Sequence, residues 1–235
     1  NAPMRDSGVE WLGEVPEHWN VSRVGFYAKK VGSGKTPKGG AEIYQDEGVL
    51  FLRSQNIYDD GLRISKSESV FVSNDIHEEM SGTKILPGDV LLNITGGSIG
   101  RTCLVPEEFV EANVNQHVCI LRFPADLKEY LSYVLKADLI KEQIDSCQTG
   151  GNREGLNFEQ ISKLILCVPK EHERAEIVSF IKEAIQRYDE LENKANSAIE
   201  LMQERRTALI SAAVTGKIDL RNWQASNKEK MEASV

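Results

Sequence analysis

The sequence predicts an α+β protein: a globular domain with a mixed or antiparallel β-sheet and flanking helices, followed by one long α-helix of the coiled-coil-forming kind. Three observations carry this. Short apolar runs recur through residues 1–170, separated by irregular polar loops and not by regular helical crossovers, which argues against a doubly wound sheet. From Glu173 to Ala213 neither Gly nor Pro occurs. Within that stretch apolar side chains return at steps of four and three, the spacing that keeps one helical face turned toward a partner. The expected division is residues 1–170 globular, 171–215 helix and 216–235 C-terminal tail.

In order, Glu10 to Trp19 (EWLGEVPEHW) is a turn-rich lead-in expected to dock on the core. Val21 to Val31 reads as a short helix or strand, and Gly32 to Gly40 (GSGKTPKGG) as a flexible basic loop. Gly48 to Leu52 is a buried strand running into Arg53, Ser54, Gln55 and Asn56. Pro87-Gly88 turns the chain into a second buried strand, Asp89 to Ile94, which ends in Thr95–Arg101 (TGGSIGR). Arg101 to Val105 begins another strand, and Val114 to Phe123 is predicted as a single strand of alternating type. Leu127 to Ile144 is predicted as one helix, with Leu131, Val134, Leu135, Leu139 and Ile144 on its apolar side. Gln148 to Arg153 is a third glycine-bearing polar loop, Asn157 caps a short helix reaching Leu164, and Ile165 to Val168 is the last strand before Pro169.

The long helix carries a seam of Ile177, Ile181, Ala184, Tyr188, Leu191, Ala195, Ala198, Met202 and Leu209, continued by Ala212 and interrupted by Arg205. Some forty residues make a rod roughly 60 Å long. Its alanines allow a second helix axis to approach toward the short end of the usual range of about 8–10 Å. Alone, such a stripe stays wet, so self-association through this helix is expected. Thr215-Gly216 supplies the stop signal.

Bulk composition excludes several classes. Of 235 residues, 40% are apolar and 27% charged, the balance of an ordinary folded protein. No apolar run reaches the roughly eighteen residues of a membrane span and the N-terminus lacks a signal-peptide pattern, so a cytoplasmic protein with no membrane partner is expected. Cys103, Cys119, Cys147 and Cys167 form no C-x-x-C pair, and the four histidines show no ligand spacing, so neither a metal nor any other cofactor is expected. The net charge of −8 works against phosphate binding: residues 1–170 hold 18 basic and 24 acidic residues and the remainder 10 and 12. Locally the picture changes, because Val21 to Ala41 contains Arg23, Lys29, Lys30, Lys35 and Lys38 and no acid.

Enzyme signatures fail on inspection. Gly34-Lys35-Thr36 ends like a phosphate-binding loop, but Lys29 stands where the first glycine is required and Pro37 blocks the helix start. Gly96 to Gly100 is formally G-x-S-x-G, yet a strand follows where a nucleophile elbow needs a helix. What remains is three glycine-rich loops, each holding Lys or Arg beside Ser, Thr, Asn or Gln. That combination suits a surface on which amides and cations position phosphates while side-chain amides and hydroxyls read bases.

Across nearly the whole chain these residues carry a likeness. DSGVEWLGEVPEHWNVSRV, SGKTP, LFLRSQNI, GDVLLNITGGSIGRTCLV, NVNQHV, GGNREGLNFEQISKLILCVP, ERAEIVSFI and RRTALISAAVTGKID, in that order, resemble the DNA specificity subunit of type I restriction-modification systems. The resemblance implies a target recognition domain, then one spacer helix, in a non-catalytic subunit that places methyltransferase subunits, and through them a restriction/translocase subunit, on double-stranded DNA. The family ordinarily has two recognition domains and two long helices; one of each implies a half-length subunit that pairs with itself or half of a larger chain. Base-reading residues vary within such domains and are nominated by their chemistry: Lys35, Lys38, Arg53, Ser54, Gln55, Asn56, Thr95, Ser98, Arg101, Asn115, Gln116, Asn152 and Arg153. A different class, a coiled-coil scaffold whose globular domain binds protein, is the alternative.

Overall fold

The structure, a computed structural model, describes residues 2–10, 12–65, 69–148, 155–221 and 223–224. In chain order the elements are β1 (Met4–Asp6), β2 (Glu14–Pro16), β3 (Asn20–Arg23), α1 (Val24–Tyr27), β4 (Lys30–Ser33), β5 (Val49–Leu52), β6 (Ile57–Tyr58), β7 (Gly61–Leu62), β8 (Val70–Val72), α2 (Asn74–Glu79) and β9 (Lys84–Ile85). They continue with β10 (Val90–Asn93), β11 (Thr102–Leu104), β12 (Ala112–Val114), β13 (Val118–Arg122), α3 (Lys128–Val134), α4 (Asp138–Cys147), α5 (Phe158–Lys163), β14 (Ile165–Val168) and α6 (Glu171–Val214). Two compact units result, Asn1–Val178 and Ser179–Val235. The mixed α+β class and the long C-terminal helix are as the sequence predicts.

The first unit is layered around a sheet of order β11-β10-β13-β4, antiparallel throughout. A second sheet, β8-β5-β12-β9, contains the parallel pair β5 and β12. Leu91 and Ile120 of the first sheet pack with Leu52, Ile85 and Val114 of the second. From the opposite face Val90, Leu92, Cys119 and Leu121 pack with Leu131, Leu135, Ile140 and Ile144 of the helical layer. β10 and β13 are therefore covered on both faces, and β10 is wholly buried. This corrects the alternating reading of residues 114–123: period-two patterning belongs to strands with one wet face, and Val118 to Leu121 are all buried.

The same stretch is two strands, not one. Asn115 Oδ1 accepts the His117 amide at 3.1 Å, a local turn that ends β12 in one sheet and lets β13 start in the other. The helix expected over 127–144 is also two. Leu131 and Leu135, and likewise Ile140 and Ile144, are each four apart and buried, but the step from Leu135 to Ile140 is five. On a continuous helix that step would rotate the second pair away from the core, and Ala137 instead takes an extended conformation before α4. Val21 to Val31 resolves into β3, α1 and the start of β4.

Two polar knots are locked into this unit. Asp89, 1% exposed, accepts both Arg122 Nε and Nη2 at 2.7 Å and the Leu86 amide at 2.7 Å. His77 is buried with Nδ1 against Asn113 Oδ1 at 2.5 Å and Nε2 at 3.0 Å from Glu111 Oε1. Lys84 hydrogen-bonds Glu111 and Glu78, and that bond, followed by His77, holds the Glu111 carboxyl below its ordinary value.

The lead-in does dock: Trp19 Nε1 donates to Glu173 Oε1 at 2.9 Å, and His18 Nε2 meets Oε2 of the same carboxylate at 2.9 Å. Arg174 fixes the same first turns of α6 through Asp126 and the Pro169 carbonyl. Ile177, counted in the seam from sequence, packs with Val178 against the globular core. In the second unit the remaining stripe is at the surface, Tyr188 70%, Leu191 53%, Met202 63% and Leu209 59% exposed. Ala195 and Ala198 are exposed too, Ile181 and Ala184 half-buried. The helix ends in a Schellman motif, with Gly216 at φ 71° and the Gly216 and Lys217 amides bonded to the Ala213 and Ala212 carbonyls.

Candidate nucleic-acid interface

Strand direction brings the candidate loops together. β5 and β12 are parallel, so both end at the same edge, and the Asn115 amide joins the Leu52 carbonyl there at 3.0 Å. In the other sheet the register pairs Asn93, at the end of β10, with Val118, and Ser33, at the end of β4, with Cys119, both at the start of β13. Four strand ends thus release their chains side by side. The Lys35 amide donates to the Val114 carbonyl at 3.0 Å, and a Cβ on Gly34 would lie 1.9 Å from that carbonyl oxygen, so the basic loop crosses the β12 exit where only glycine fits.

Asn93 ties this edge from below. It is fully buried, and its Nδ2 donates to the Ser54 carbonyl at 2.8 Å and to Ser98 Oγ at 3.0 Å. One side chain under the surface therefore fixes the 53–56 loop against the 95–101 loop. The Ile94 amide donates to the His117 carbonyl and the Leu156 amide to the Ile94 carbonyl, which adds two more segments.

The nominated residues then fall into distinct situations. Lys35, Lys38, Gln55 and Gln116 are exposed, and Arg53, Ser54, Thr95, Ser98 and Arg101 are half-buried at the edge. Asn56 is buried, its Oδ1 accepting the Arg53 amide and its Nδ2 donating to the Arg63 carbonyl, so its amide shapes the turn. Asn115 is buried as well, and its Oδ1 is used on the turn to His117. Asn152 and Arg153 lie outside the described residues. Of the basic island, Lys29 and Lys30 sit at the other end of β4 from Lys35, and Lys30 Nζ donates to the Gly82 carbonyl at 2.7 Å. Its burial, then Arg122, lowers its pKa.

Three residues missed in the sequence complete the edge. Arg63 and Arg101 lie over the Tyr58 ring, 3.6 and 4.6 Å from its centroid, a cation–π arrangement that holds two guanidinium groups beside the 53–56 turn. His117 bridges two loops, with Nδ1 2.6 Å from Thr95 Oγ1 and Nε2 3.2 Å from Gln116 Nε2, while Thr36 Oγ1 donates to Gln116 Oε1. The only sequence signals of Tyr58, Arg63 and His117 are an aromatic ring, a cation and an imidazole in polar surroundings.

Chemically the edge offers cations, hydroxyls and side-chain amides. Among the described residues no cluster of three or more His, Cys, Asp and Glu is placed to hold a metal, and no helix is long and apolar enough to cross a membrane. Burial pushes the Cys103 and Cys119 thiols up to about 12, which keeps them protonated.

Residues 16–201 match the type I restriction modification DNA specificity domain. The chain belongs to that family. The fold is also similar to a chain from a structure described as the "structural basis underlying complex assembly and conformational transition of the type I R-M system", with a TM-score of 0.66, 16% identity, 89% of this chain covered and 48% of that one. The HsdS subunit from Thermoanaerobacter tengcongensis is similar with a TM-score of 0.56, 17% identity, 78% of this chain covered and 40% of that one. At these identities the likeness speaks for the fold, and the specificity-domain chain spans about half or less of the length of either neighbour.

Proposed function

We propose that this chain reads one half of a two-part DNA target for a type I restriction-modification complex, with the edge formed by the ends of β4, β5, β10 and β12 as the reading surface. The observation that carries this is the convergence of Lys35, Arg53, Thr95, Ser98, Arg101 and Gln116 at one edge, where the buried amide of Asn93 ties the 53–56 loop to the 95–101 loop and the Lys35 amide bonds the Val114 carbonyl. Cations there engage phosphates and the amides and hydroxyls engage base edges. The chain itself performs no chemistry. It positions methyltransferase subunits and, through them, a restriction/translocase subunit. Its α6 pairs with a second long helix, and that pairing sets the distance between two reading heads. The exposed apolar stripe from Tyr188 to Leu209 supports this pairing. If the mate is a second copy, symmetry makes the target two identical inverted halves.

Binding of the chain, alone and with methyltransferase subunits, to a random duplex pool tests the proposal. A split motif should be enriched, and the triple variant Lys35→Ala, Arg53→Ala, Arg101→Ala should lose it while remaining folded. Enrichment of no motif, or a variant that enriches the same motif as strongly, overturns it.

A further inference from the structure

Gln116 is the exposed side chain of this edge whose two functional atoms are both held by neighbours. Its Oε1 accepts from the Thr36 hydroxyl, and its Nε2 faces His117 Nε2 at 3.2 Å. Since an amide nitrogen only donates, that ring nitrogen is the acceptor and the imidazole proton lies on Nδ1, where it donates to Thr95 Oγ1 at 2.6 Å. His117 cannot drift from this position. Its amide donates to Asn115 Oδ1 and its carbonyl accepts the Ile94 amide at the end of β10. The chain Thr36, Gln116, His117, Thr95 therefore runs across the exits of β4, β12 and β10 and holds the Gln116 amide in place from both of its atoms.

After those contacts the amide retains one N–H and one oxygen lone pair, because each of its two atoms can make two hydrogen bonds. A donor beside an acceptor at that spacing is the complement of adenine in the major groove, which offers N7 as acceptor and N6–H as donor. A free glutamine must give up side-chain freedom to meet that edge, whereas one already held at both atoms has little left to lose. We propose that Gln116 reads an adenine in the target and that His117 is the positioning residue that orients it. This rests on the reading of the edge as a DNA surface.

The test is enrichment from a random duplex pool with the full chain and its variants, scored base by base and not as total affinity. Wild type should show adenine at one position, and Gln116→Ala should reduce preference there by roughly 10- to 100-fold while leaving the other positions unchanged. Gln116→Glu, which can only accept, should move the preference at that position toward cytosine, whose N4 donates. His117→Ala and His117→Asn remove the nitrogen facing Gln116 and should relax the same position. His117→Gln, long enough to present an oxygen there, should restore it. A uniform loss of affinity across all sequences in the His117 variants, or an unchanged motif with Gln116→Ala, overturns the inference and leaves the DNA reading standing. A wild-type chain that enriches no motif overturns both.

Discussion

In the globular unit the large aliphatic side chains of β10 and β13 are closed off on both faces, whereas in α6 beyond Val178 the equivalent residues are at the surface. The two regions are stabilised differently. Leu91, Leu92, Ile120 and Leu121 find their partners within the same unit, so that unit's stability is a property of one chain. The stripe of Tyr188, Leu191, Met202 and Leu209 finds none among the described residues, and its burial requires another molecule or another segment.

The sharpest way to separate the regions is to break the Asp89 knot. Asp89→Ala leaves the Arg122 guanidinium without its buried carboxylate and orphans the Leu86 amide, and should cost about 3–5 kcal/mol in denaturant unfolding of the first unit. Self-association through α6, measured by sedimentation below the unfolding range, should be unchanged. Next in size is the converse. Leu191→Ala with Met202→Ala should leave unfolding of the first unit within about 0.5 kcal/mol of wild type. It should weaken self-association by tenfold or more, since a fully buried side chain of this size contributes about 1.5–3 kcal/mol. A melting midpoint that moves with Leu191 and Met202, at concentrations where the chain is monomeric, would erase the distinction.

A smaller effect tests the first unit by acid. Lys84 and His77 hold the Glu111 carboxyl below the ordinary 4.5. A depressed acid stabilises the fold above its unfolded value and loses that contribution as pH falls through the folded value. Wild type should therefore lose stability more steeply than Glu111→Gln as pH is lowered through and below about 4.5, with no difference in slope between pH 6 and 8. The smallest expected change is at the edge proposed to read DNA, where Lys35→Ala should leave folding intact and reduce the salt slope of DNA binding by about 1.

Much of this architecture was legible from spacing alone: the long helix, its glycine stop, the strands at 48–52 and 89–94, the Asn157 cap and the last strand follow local rules of periodicity and capping. Failures came where tertiary packing overrode them. Val118 to Leu121 reads as alternating only if one face is wet, and the second sheet that covers it has no local signature. The step from Leu135 to Ile140 betrays the break between α3 and α4, but only once both residues are known to be buried. At the candidate site residue chemistry nominated Lys35, Arg53 and Gln116, which the strand ends bring together. It also nominated Asn56 and Asn115, both buried and bonded into turns, and it passed over Tyr58, Arg63 and His117, whose roles arise from loops distant in sequence.

The Asn93 side chain suggests how such a protein could be retargeted. It grips one loop through a main-chain carbonyl, that of Ser54, an atom present whatever residue occupies position 54, and the other through a small hydroxyl at Ser98. The fastening is thus largely indifferent to the lettering above it. Libraries that randomise positions 53, 55, 95 and 116 while keeping Asn93, Ser98 and Gly34 should return folded proteins with altered sequence preference, whereas changing those three anchors should scatter the loops before any new target can be read.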